Sequence, residues 1–432
     1  MNFTELKHHI KDPLYRNSLF LMSTTAVTTG LGFFFWMVVA RADYTEAEVG
    51  IGAAIISAIM LLSLISTLGL NIAIIRFFSK SKHPVEMINS CLTASGIAAL
   101  VVSGIFLAGV DWWSPATHFV RDNIWFALAF TLFVLWTTLS RITGSLFIAK
   151  RRAEFTLIKS TIFSLLKIPL PILFVLFWHA FGIVSSWGFA TGFALIISLF
   201  IFLPRIQKSY RPVPKLNLGI IKDIWKYSAG NYFAVLFASF PPLILPLIII
   251  NQISAEQNAY FYVAWMISSL LFAIPVAVSQ SLFAEGSHSE EELAINSRRA
   301  FKFIVLLLIP AITLVILLGD WLLGLFGENY SSYGLKLLWI LGGSSLFIGI
   351  SDIYYSILRV RNRIRELILI RLLTCIVVLA VSSIIAPAHG IVGIGYVWIG
   401  VQVVVSIYVL LTVRSRLRAM RVQRQNIQRV PK

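Results

Sequence analysis

GLGFFFWMVVARADYTEAEVGIGAAIISAIMLLSLISTLGLNIAIIRFFSK (residues 30–80) joins two long apolar runs through a short polar and acidic break. As a helix, each run is long enough to cross a hydrocarbon core of roughly 30 Å. No water is present in that medium to satisfy free backbone groups, so helices are the form such runs take. The same alternation continues to both ends of the 432 residues. It gives twelve runs, at 18–40, 48–70, 88–110, 123–148, 157–178, 182–203, 228–251, 259–282, 301–319, 334–357, 368–387 and 390–413. The chain is 58% hydrophobic and only 13% charged, against about 25% charged in a soluble domain. The expected class is an all-α membrane protein of twelve transmembrane helices, with no segment left over for a soluble catalytic domain.

Charge in the short loops then sets an orientation. One set of loops holds Lys7, Lys11 and Arg16, then Arg76, Lys80 and Lys82, then Lys150, Arg151, Arg152 and Lys159. It continues through Arg205–Lys226, Arg298–Lys302 and Arg359–Arg365 to the tail from Arg414. The opposite set holds only Arg41, Arg121 and Lys336, beside eight carboxylates that include Asp43, Glu46 and Glu48. By the positive-inside rule both termini are cytoplasmic. The formal net charge of +17 therefore reads as topology control and contact with anionic lipid, not as nucleic-acid binding. The N-terminal apolar run has no small-residue cleavage site after it and reads as a retained first span. Cys91 and Cys375 fall inside spans as small core residues. The seven histidines show no metal-ligand spacing, and no cofactor is expected.

The longest loop, 204–227, divides the chain into an N-terminal six-helix lobe (1–203) and a C-terminal one (228–413), with a basic tail at 414–432. It opens PRIQKSYRPVPK and continues LNLGIIKDIWKYS, where Leu218, Ile221, Ile224 and Trp225 share one face of a short interfacial helix. Proline marks expected hinges at Pro241, Pro242 and Pro246 in span seven and Pro275 in span eight.

Several stretches resemble the Wzx-type polysaccharide (O-antigen) flippases of the multidrug/oligosaccharidyl-lipid/polysaccharide transporter superfamily. In residues 30–80 the resemblance rests on Arg41, Gly50, Gly69, Leu70 and Arg76. In AYFYVAWMISSLLFAIPVAVSQSLFAEGS (259–287) it rests on Tyr260, Ala264 and Pro275. FGENYSSYGLKLLWILGGSSLFIGISDIYYSILRVRNR (326–363) is similar to the family's tenth helix, and Gly393 and Gly395 to its last. The resemblance implies two six-helix lobes around a central cavity, as in the multidrug exporters of that superfamily. It implies rocker-switch movement of a polyprenyl-pyrophosphate-linked glycan from the inner to the outer leaflet of the cytoplasmic membrane, serving cell-surface polysaccharides such as the O-antigen of lipopolysaccharide. Glycosyltransferases or a polymerase of the same pathway are the implied protein partners.

A pyrophosphate headgroup cannot cross hydrocarbon unaided, so intramembrane cations are the place to look. Arg141 in span four and Lys167 in span five flank the Arg151–Glu154 turn, which predicts similar depth, and neither has an acid in its own span. Both are expected to line the cavity and bind phosphate. Arg41 and Arg76, which end spans one and two, are further candidates for substrate binding. Asp352 and Arg371 are nearly equidistant from the turn at Arg361, as an ion pair or a coupling site. No catalytic constellation or phosphate-cradling glycine loop appears. Two alternatives stay open: an ion-coupled small-molecule exporter of the same superfamily, and a polyprenyl-dependent glycan polymerase or ligase.

Overall fold

The computed structural model describes residues 13–286 and 293–428. Lys7, Lys11 and the last four residues of the basic tail lie outside them. The described chain is helical, without strands. Its main helices are α1 (Pro13–Arg41), α2 (Glu46–Ser66), α3 (Leu70–Phe77), α4 (Pro84–Ala108), α5 (Ile124–Ala149) and α6 (Ala153–Leu166). There follow α7 (Leu170–Ile197), α8 (Leu218–Gln252), α9 (Ala255–Gly286), α10 (Leu293–Gly324), α11 (Glu328–Val360) and α12 (Ile364–Gln428).

Among the described residues, ten helices are long and apolar enough to cross a membrane. Two of these are far longer than one crossing needs: Leu170–Ile206 has 37 residues and Ile364–Arg414 has 51. Each contains one non-helical residue, His179 (φ 43°, ψ −132°) and Gly390 (φ 60°, ψ −157°). Divided there, the helices are compatible with twelve crossings.

The residues up to Val263, together with Leu325–Tyr330, form one compact unit; Ala264–Gly324 and the chain from Ser331 form a second. In the first unit, α2 starts with a capping box in which Thr45 and Glu48 satisfy each other's backbone amides. Its other end breaks at Leu68 (φ 51°) and Gly69 (φ 73°) before α3 resumes. The phenol of Tyr232, on α8, donates to the carbonyl of Ile65 at 2.9 Å and satisfies one acceptor near that break. A Cβ on Gly69 would stand 2.8 Å from Tyr232, so both backbone angle and space require glycine. Below the break, Leu70, Ile74, Phe78, Ile88, Leu146, Phe155 and Phe202 form a closed apolar cluster. The rings of Phe155 and Phe202 lie 4.9 Å apart. Leu325–Tyr330 joins the same unit through side-chain and ring contacts, among them Tyr330 against Tyr260 edge-on at 5.2 Å. Arg41 Nε donates to the Leu325 carbonyl at 2.9 Å, Asn329 Nδ2 donates to Glu46 at 3.0 Å, and Phe33 meets Phe326 edge-on at 5.0 Å.

Residues 218–227, expected as a separate interfacial helix, are instead the first turns of the 35-residue helix α8. No proline or other breaker separates them from the span, and Asn217 caps the start by accepting from the Ile220 amide. Their expected apolar face is divided. Ile224 is buried in the cluster with Ile221 packed against it, while Leu218 and Trp225 are exposed. The preceding strap is tied to the start of α4: Lys215 pairs with Glu86 at 2.9 Å and Asn89 Nδ2 donates to the Arg211 carbonyl at 3.1 Å. Helix α8 runs unbroken through Pro241, Pro242 and Pro246, and α9 through Pro275.

Candidate functional site

An open, polar-lined cavity of about 370 Å³ lies within the first unit, with walls from α2, α3, α5, α6 and α7. The stretch WTTLSRITGS (136–145) of α5 contributes more to its wall than any other segment, its hydroxyls and guanidinium sitting among buried apolar residues. Arg141 lines it, and its Nε donates to Ser63 Oγ at 3.0 Å. Its two terminal amines make no hydrogen bond among the described residues. Lys159, on α6, also lines the cavity and donates to the Ser140 carbonyl at 2.6 Å and to Ser140 Oγ at 3.1 Å. The two cations are close enough to repel one another. No carboxylate lines the cavity, and neither cation has an acidic partner among the described residues.

Two further lining atoms lack partners. Asn71 Oδ1 and Thr156 Oγ1 are buried and make no hydrogen bond among the described residues. A polar atom left so costs about 1–3 kcal/mol, and the cost vanishes when a ligand supplies the bond. Phe163 and Trp187, in edge contact at 5.7 Å, provide an aromatic wall. Two cations, several hydroxyls, a free amide oxygen and aromatic faces suit an anionic, hydroxyl-bearing ligand and disfavour a cation.

The sequence paired Arg141 with Lys167; the structure pairs it with Lys159. Helix α5 ends at Ala149 and α6 starts at Ala153, with Arg151 in the left-handed region (φ 55°). Arg141 is ten residues before Arg151, Lys159 eight after it and Lys167 sixteen after it. At 1.5 Å per residue these are depths of about 15, 12 and 24 Å, so similar depth belongs to Lys159, which had been read as a loop residue. Lys167 ends α6, where the helix breaks before Pro169 and Pro171. It is 6% exposed, and its ammonium lies 4.9 Å from the Phe35 ring centroid and 4.7 Å from that of Phe163. The Phe163 ring thus has the cavity on one side and Lys167 on another.

Arg41 and Arg76 are exposed and do not line the cavity; Arg76 lies over the Phe77 ring at 5.6 Å. Asp352 and Arg371, in the second unit, are joined at 3.1 Å. Among the described residues no group of three or more acids, histidines or cysteines gathers as metal ligands, and both cysteines are free and buried.

This is the helical, multi-pass fold of transporters and flippases, with a cation-lined cavity inside one unit. Solved structures share it, three of which illustrate the range. A lipid II flippase MurJ in an inward closed conformation matches with a TM-score of 0.76 at 12% identity, over 92% of this chain and 87% of that one. An inward-facing multidrug resistance MATE transporter of the MOP superfamily matches with 0.69 at 14%, over 93% and 98%. A MOP superfamily transporter from Pyrococcus furiosus, described as having a binding pocket of reverse polarity, matches with 0.64 at 16%, over 95% and 96%. No curated protein matches by sequence. The chain belongs to the polysaccharide biosynthesis protein family, whose model matches residues 14–287.

Proposed function

We propose that this protein is a flippase that carries a polyprenyl-pyrophosphate-linked oligosaccharide from the inner to the outer leaflet of the cytoplasmic membrane, for cell-surface polysaccharide synthesis. The observation that carries the reading is the uncompensated charge of the cavity: Arg141 and Lys159 face it with no lining carboxylate. Burying two cations without counter-charge is costly, and a diphosphate removes that cost while its sugar meets the free oxygens of Asn71 and Thr156. In this reading both termini are cytoplasmic. Two six-helix lobes, 1–203 and 228–413, alternate access about the strap 204–217 that precedes α8, with bending at Pro241, Pro242, Pro246 and Pro275. Lys167 stands behind Phe163 as a reserve cation. Glycosyltransferases or a polymerase supply and consume the lipid. The protein itself breaks no bond.

The test is the leaflet position of the lipid-linked glycan in cells depleted of the protein, probed by an externally added glycosidase or lectin. Accumulation shielded from the probe supports the flippase. Accumulation open to the probe shifts the reading to a polymerase or ligase, and no accumulation shifts it to a small-molecule exporter.

A further inference from the structure

The α11–α12 hairpin of the second unit brings one acid and two bases together. Asp352 lies eight residues before the end of α11 and Arg371 seven after the start of α12. The turn between them, with Asn362 at φ 54°, sets the two side by side. Arg371 Nη2 donates to Asp352 Oδ1 at 3.1 Å. The other carboxylate oxygen, Oδ2, is buried and accepts no hydrogen bond among the described residues. The charged groups acting on Asp352 are Arg371 across the hairpin and Arg359 on its own helix, and Tyr355 is the remaining titratable neighbour. Helix α9 reaches α11 through the Ser279 carbonyl, which accepts from Ser356 Oγ at 2.7 Å and adds no charge. Glu366, the other acid of α12, is engaged by Tyr354 and stands 3.5 Å from Arg363.

We propose that Asp352 is a proton-binding site and that a proton on Oδ2 decides whether the α11–α12 hairpin stays closed. A buried carboxylate with one oxygen unpaired is relieved by a proton or by a metal cation. A hard metal ion needs about six oxygen ligands, and Arg371 and Arg359 repel it. A proton needs Oδ2 alone. On binding, an O–H bond forms at Oδ2 and the carboxyl becomes neutral. Arg371 loses its ionic partner but keeps the Tyr355 ring, 4.0 Å from its guanidinium carbon. Arg371 and Arg359, which already repel, then face each other with no anion between them, and the hairpin loosens. When the proton leaves, the pair reforms.

The experiment uses the full chain in lipid vesicles and needs no cargo, so its failure leaves the flippase reading untouched. Acidification is followed by infrared difference spectroscopy for a protonated carboxyl, and by hydrogen exchange of the α11–α12 hairpin corrected for intrinsic rate. The wild type and Asp352→Glu are expected to show the carboxyl band and about a tenfold rise in exchange, the scale of one lost charged contact. Asp352→Asn is expected to lack both responses. The paired variant Asp352→Leu/Arg371→Leu removes the charges together, is expected to fold, and is expected to exchange independently of pH. A carboxyl band unchanged in Asp352→Asn overturns the proposal. So does a paired variant that keeps the pH response, since Asp352 and Arg371 then serve only to pin the helices.

Discussion

The first unit holds Arg141 and Lys159 against neutral oxygens, and the second holds Arg371 against a carboxylate. Arg141 and Lys159 are bound by Ser63 and Ser140, while Arg371 is bound by Asp352. Both arrangements solve the same problem of a cation in hydrocarbon, in ways that lead to different chemistry. A cation held by hydroxyls keeps most of its charge available and attracts an anion from outside the protein. A cation held by a carboxylate is neutralised from within and responds to protons. The comparison sets cations left without a carboxylate apart from one that is paired with a carboxylate.

Breaking the internal pair is the largest effect expected. Arg371→Leu leaves Asp352 buried alone and should cost about 3–5 kcal/mol of stability, read from unfolding in detergent, with Asp352→Leu added in cis restoring most of it. In the first unit, Arg141→Ala should leave stability nearly unchanged or higher, because no acid is orphaned. It should instead slow translocation by roughly 10- to 100-fold, the worth of one charge-assisted contact of about 1.5–3 kcal/mol, read by probe access to the lipid-linked glycan. If Arg141→Ala destabilises as much as Arg371→Leu, its charge is neutralised inside the protein after all and the contrast fails.

Gly69→Ala tests the break that shapes the cavity. A left-handed alanine costs about 1–2 kcal/mol, and the contact with Tyr232 adds to it, so the melting temperature should fall. Asn71→Leu sharpens the contrast further, since it should hold or raise stability by up to about 1 kcal/mol by removing an unpaired oxygen while lowering translocation several-fold.

The smallest effect expected is at Tyr210, in the strap before α8. Burial pushes its phenol from 10.0 up to about 12. The neutral phenol is the form that fits, so its contribution is fully present below pH 10 and is lost as pH rises through about 12. An ultraviolet titration should find one late tyrosine that Tyr210→Phe removes.

Much of this was legible in the amino-acid sequence, because lipid imposes the helices. Asp352 and Arg371 were found as partners because their turn was placed correctly at Arg361. The partner of Arg141 was misplaced because the turn between α5 and α6 was set one or two residues late, and in a helix of 3.6 residues per turn such a shift moves both depth and facing. Symmetry about Arg151 would have pointed to Lys159. The breaks were also sought at prolines. Helix α8 carries three without interruption, as intramembrane helices can when neighbours re-satisfy the freed carbonyls. The interruption in span two falls instead at Leu68 and Gly69, where only backbone angles reveal it.

The inclusion of Leu325–Tyr330 in the first unit has a consequence for biosynthesis. Sixty-odd residues separate that segment from Val263. At roughly 5–20 residues per second on the ribosome, the first unit, otherwise complete at Val263, waits on the order of several seconds for its last piece. A nascent chain stalled in that window has its early helices inserted and one face still uncovered. The first unit is therefore completed out of chain order, after the segment 264–324 has been made.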